Sequence, residues 1–185
     1  MTAVGPEARR ATLAVAGGLT IATLAVAAIV RAGWPAETRQ LLAFSFAGVP
    51  TRLDTALSIL ANNGRLLAAV FAAILVAQSP WLAGRDAHRG PVMVTLLVAV
   101  DAVLVLAVTV NVAVVGAALG AYGERMALAM LPHGPLELGA YALALALYLH
   151  ARRGPIPARH VLAVGAGCLI ILVVAALLET FVVVP

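Results

Sequence analysis

The sequence predicts an all-α fold, an integral membrane helical bundle of about five transmembrane helices plus a short interfacial helix, in one domain over residues 1–185. Three observations predict it. Hydrophobic residues make up 63% of the chain and charged residues only 11%. Mean hydropathy is +1.06, far beyond what a soluble domain of this length can cover with polar surface. The apolar residues also gather into windows of about 20 or more, the length that a hydrocarbon layer roughly 30 Å thick asks of a helix.

The first span is expected over about 11–30, closed by Arg31 and Trp34. It is longer than a signal-peptide core needs and no clean cleavage site follows, so it reads as a retained helix. Between it and the next span, Gln40 to Gly48 is too short to cross a membrane and too apolar to float, which predicts an interfacial helix at about 40–48. Thr51, with Asp54 three residues on, has the spacing of a helix start running into the second span, about 58–78, which stops at Ser79-Pro80.

The third span, about 91–119, is over-long and must tilt or project. It carries Asp101, about 15 Å in and so near the midplane, where a structural bond to a neighbouring helix is the favoured reading over a transport site. Gly116-Ala117-Ala118-Leu119-Gly120 offers a small-residue face for close helix crossing. The fourth span, about 134–150, opens behind Gly134 as cap with Pro135 at the first helical position, and the fifth is about 161–184. Trp34, Trp81, Tyr141 and Tyr148 read as interface anchors, and His150 and His160 as solvated.

All twelve basic residues are arginine. With the N-terminus inside, Arg9, Arg10, Arg85, Arg89, Arg152, Arg153 and Arg159 are cytoplasmic, leaving Arg31, Arg39, Arg52, Arg65 and Arg125 outside. The short loops thus favour a multi-pass cell-membrane protein with a cytoplasmic N-terminus and an extracytoplasmic C-terminus. The net charge of +4 is spread over membrane edges with no basic stripe, which points to the lipid bilayer as partner and away from nucleic acid. Cys168 stands alone inside the fifth span, so disulfides and cysteine metal sites are excluded and a packing role is expected. No Gly-rich phosphate loop with lysine is present.

Depth along the helices brings the remaining polar residues together. Glu179 lies roughly 27 Å from the start of its span, at the level where Glu137 begins an oppositely running helix. His133, Asn62, Asn63 and Asn111 fall at that same depth, and the convergence holds whichever way the protein is inserted. Glu137 taken alone is equally suited to satisfying free N–H groups at a helix start. Glu179 is harder to explain by local structure, because its surroundings are apolar and hold no cation.

Leu131-Pro132-His133-Gly134-Pro135-Leu136-Glu137-Leu138 resembles the His-Gly-x-x-Glu signature of the stage II sporulation protein M family of polytopic bacterial membrane proteins. Ala175-Ala176-Leu177-Leu178-Glu179-Thr180-Phe181 is similar to that family's closing apolar run, with a glutamate before an aromatic, and Ala61-Asn62-Asn63 is a weaker third match. The resemblance implies a five- or six-span protein, named for machinery that remodels cell wall during engulfment, although members also occur in organisms that form no endospores.

Two functions follow as expectations. In the first, the chain is a non-enzymatic subunit or scaffold, with protein partners in an envelope or export system and the polar cluster locking its helices. In the second, His133, Glu137 and Glu179 are catalytic residues that hold a divalent metal, zinc by their chemistry, with an open position for water, and the protein is a membrane-embedded peptidase. No His-Glu-x-x-His motif supports the second. Asn62, Asn63 and Asn111 are the expected supporting polar residues under either.

Overall fold

The computed structural model describes residues 6–44, 46, 50–82 and 90–182. Among them are seven helices and no strand: α1 Pro6–Gly33, α2 Pro35–Leu42, α3 Leu53–Leu82, α4 Pro91–Tyr122, α5 Glu124–Met130, α6 Gly134–Ala151 and α7 Ala158–Phe181. The all-α fold follows from the apolar runs, because only a helix satisfies its own backbone groups inside a lipid layer.

Among the described residues four helices are long and apolar enough to cross a membrane: Glu7–Gly33, Leu53–Ser79, Pro91–Tyr122 and Ala158–Phe181. The expected fifth, α6, falls short on this measure, with 18 residues that include Glu137, Tyr141, Tyr148 and His150. Its position explains why it tolerates them. α6 packs against α1, α3 and α7 and buries Ala140, Ala142, Ala144, Ala146, Leu147, Tyr148 and Ala151, so protein rather than lipid surrounds it. The alanine repeat lets three neighbours approach closely.

Point contacts fix the helix directions. Gly116 meets Thr23 and Val26 while Gly120 meets Ala27 and Val30, so α1 and α4 run parallel. Asn63 reaches Glu137 and Gln78 reaches Ala151, so α3 and α6 run parallel. α7 runs against them, with Cys168 beside Ala140 and Glu179 beside His133. Tyr148 and Arg152, late in α6, meet Asp101, early in α4, which makes those two antiparallel. Thus α1, α4 and α7 point one way and α3 and α6 the other. The core lies among α3, α4, α6 and α7, where Val70, Ile74, Leu97, Leu147, Cys168 and Leu172 are buried.

Several local expectations are corrected. The non-spanning helix starts at Pro35, not near residue 40, because proline at the first helical position sets its start; it ends at Ala43, which takes a left-handed φ of 45°. Of the expected segment, residues 45, 47 and 48 lie outside the described residues, as do Arg85 and Arg89 and the side chain of Trp81. Thr51 does not begin α3, which starts at Leu53; Asp54 pairs instead with Arg52 at 2.9 Å and accepts from the Thr55 N–H. α5 was not expected. Tyr141 and Tyr148 are not interface anchors, since both hydroxyls are spent inside the bundle.

Candidate functional site

The site forms where α3 starts its buried course, α6 begins and α7 ends. A turn after α5 leads into His133, whose carbonyl accepts the N–H groups of Leu136 and Glu137 and so starts α6. His133 is therefore the cap, one residue earlier than the expected Gly134, and Pro135 sits at the second helical position. This start aims the imidazole and the Glu137 carboxylate into the bundle.

His133, Glu137 and Glu179 each offer a ligand atom, and the three atoms lie within 4.8 Å of one another. His133 Nε2 stands 3.9 Å from a Glu179 oxygen, with the two side chains 12% and 29% exposed. Glu137 accepts a hydrogen bond from the Asn63 side-chain amide of α3. Tyr141, one turn further along α6, donates to the Asn63 backbone carbonyl at 3.0 Å. Two carboxylates and an imidazole thus meet at one end of three helices. Carboxylates brought this close in a low dielectric repel unless a cation or a shared proton stands between them.

The donor set suits a divalent metal in kind, one nitrogen and two oxygens with a coordination position left over. Ligands bound to zinc at about 2.0–2.1 Å stand about 3.3 Å apart in a tetrahedron, so His133 Nε2 and the Glu179 oxygen, 3.9 Å apart, would draw together by about 0.6 Å on closed coordination. Nδ1 of His133 is buried and finds no partner among the described residues. A metal-bound histidine ordinarily ties down its second nitrogen, which the described residues do not do for His133.

Of the three asparagines, only Asn63 is part of this cluster. Asn62 is exposed on α3, turned about 100° from Asn63 by the helix. Asn111 is exposed, and its amide donates to the Ala107 carbonyl of its own helix at 2.8 Å. A side chain that satisfies itself within one turn needs no neighbour.

Two further polar centres support the bundle at its opposite end. Asp101 accepts from the Tyr148 hydroxyl and pairs with Arg152 at 2.7 Å. Because Arg152 caps the end of α6, Asp101 lies near a bundle edge and not at the expected midplane, and the first turns of α4 project beyond α6. Gln78, 5% exposed, donates to the carbonyls of Ala151 and Gly154 at 2.9 and 3.0 Å and accepts from the Ile156 N–H at 2.8 Å. It clamps the α6–α7 connection. Its sequence signal is its place four residues after Ile74 on the buried stripe of α3.

No family model, curated protein or solved structure matches the chain.

Proposed function

We propose that this protein is a multi-pass membrane subunit or scaffold of an envelope-remodelling or export-associated assembly, of the kind the stage II sporulation protein M resemblance implies. The N-terminus is cytoplasmic and the C-terminus extracytoplasmic. The observation that carries the reading is the Asn63–Glu137 bond, with Tyr141 on the same asparagine and Glu179 and His133 alongside. The two hydrogen bonds tie α3 to α6, and Glu179 brings α7 to within 3.9 Å of His133; interhelical bonds of this kind contribute about 0.6–2 kcal/mol each in membranes.

A second reading is favoured by the grouping of three ligand atoms within 4.8 Å. In it His133, Glu137 and Glu179 hold a zinc ion, which would supply Lewis-acid activation of water for peptide hydrolysis. Glu137 and Glu179 would give the charge, and Asn63 would orient Glu137.

Substitution and metal analysis on the purified full chain separate the two. A lock predicts substoichiometric metal and near-silent Glu137→Gln and Glu179→Gln variants, because glutamine keeps shape and hydrogen bonding. Glu179→Leu should then weaken helix association by about 1–3 kcal/mol, by leaving a buried polar neighbour unpaired. A zinc site predicts about one metal per chain, lost together with activity in Glu137→Gln, Glu179→Gln and His133→Ala while the fold survives. Metal at full occupancy in wild type would overturn the lock.

A further inference from the structure

A second polar feature stands apart from the histidine cluster and is independent of its reading. At the end of the bundle where α1 and α4 finish lies an open pocket of about 880 Å³, lined by residues that include Arg31, Arg39 and Arg125 together with Phe44, Phe46 and Tyr122. That volume is within the range of small-ligand sites. Arg31 and Arg39 come from the consecutive helices α1 and α2, and Arg125 from the distant α5. None has an ion-pair partner among the described residues, although Glu124 also lines the pocket.

The chain is built to hold them there. Gly123 takes a φ of 60°, a conformation that favours glycine, and turns the chain beside the Arg31 guanidinium, whose Nη1 would lie 2.8 Å from a Cβ there. Tyr122 pins the opposite wall, accepting from the Phe44 N–H at 3.0 Å and donating to the Arg39 carbonyl at 3.2 Å. The Phe46 ring packs on Tyr122 at 5.3 Å between centroids, and Arg125 lies 4.2 Å over Phe46. Three like charges held around one space repel, and an anion seated among them turns repulsion into attraction. Guanidinium groups match phosphate oxygens in geometry as well as charge.

We propose that this pocket binds a phosphate group, the chemistry shared by an anionic phospholipid headgroup and by free phosphate. The lipid is the favoured source. The pocket lies at the ends of two helices whose apolar flanks, including Ile29 and Val114, are exposed and available to acyl chains. Trp34, Leu41 and Phe44 around it are also exposed, as residues at a headgroup boundary are.

The test uses the full chain in nanodiscs containing phosphatidylglycerol and phosphatidylcholine, reading co-purified lipid by native mass spectrometry. Wild type should retain phosphatidylglycerol preferentially. Each of Arg31→Gln, Arg39→Gln and Arg125→Gln should lower that preference about fivefold, as expected for one basic contact to an anionic surface, while Arg9→Gln should not. A second measurement on wild type alone needs no variant: thermal stability in neutral detergent with inorganic phosphate against chloride. A shift with phosphate but no lipid preference supports the phosphate site and assigns it a soluble ligand. Equal retention of the two lipids together with no phosphate shift overturns the proposal, as does a folded triple variant that keeps whichever response wild type shows, the phosphatidylglycerol preference or the phosphate shift.

Discussion

Gln78 makes three hydrogen bonds with one buried side chain, and all three go to backbone groups of the α6–α7 connection. Gln78→Leu keeps the volume but orphans two carbonyls and the Ile156 N–H, so it should destabilise the bundle by about 1–3 kcal/mol. Chemical denaturation of the reconstituted protein would measure it, and wild-type stability in Gln78→Leu would mean that solvent already serves these groups. The same stripe of α3 shows what a sequence can tell about single residues. Asn63, Leu67, Val70, Ile74 and Gln78 recur at helical spacing, but Asn62, Leu66, Ala69 and Ala73 keep the same spacing, so only the burial of Leu67, Val70 and Ile74 distinguishes Asn63 from Asn62. Asn111 resists the same counting. It stands seven residues beyond the buried Leu104, itself seven beyond the buried Leu97, and is nevertheless exposed. Periodicity reports a face; whether a neighbour covers that face at a given level depends on how two helices diverge.

At the scale of elements, the closest helix contact is α1 on α4. A Cβ on Gly120 would lie 2.5 Å from the Ala27 carbonyl oxygen and 2.9 Å from the Val30 Cβ, and one on Gly116 would lie 2.7 Å from the Thr23 carbonyl oxygen. These neighbours are backbone and β-branched atoms that cannot swing away. Gly120→Ala should therefore push α1 from α4 and lower the melting temperature, despite the gain of about 1 kcal/mol in helix propensity. Gly17→Ala is the matched control, because nothing lies within 4 Å of its would-be Cβ; it should be neutral or stabilising. Equal melting temperatures for Gly120→Ala and Gly17→Ala would reject tight packing here. The long helices were legible because their apolar runs exceed bilayer thickness. α5 and the true start of α2 were not, since seven or eight residues carry too little periodicity to rise above the surrounding apolar background.

For the whole molecule, the contact pattern orients every long helix relative to the others. One face gathers the start of α1, the end of α3, the start of α4 and the α6–α7 connection. Its described arginines are Arg9, Arg10, Arg152, Arg153 and Arg159, and Arg152 is engaged by Asp101. The opposite face holds Arg31, Arg39, Arg52, Arg65 and Arg125, three of which converge on one pocket. The described arginines are thus evenly divided between the two faces, and under the proposed insertion the first face is the cytoplasmic one. Topology is testable without removing the native thiol, because Cys168 is buried and shielded from a membrane-impermeant maleimide. Arg9→Cys and Arg153→Cys should label only after the membrane is opened, while Arg52→Cys, on an exposed residue of the other face, should label in intact cells. Labelling of Arg9→Cys and Arg153→Cys from outside would invert the insertion but preserve the fold. Labelling of those two from opposite sides would contradict the helix directions themselves, because α1 starts and α6 ends at the same face.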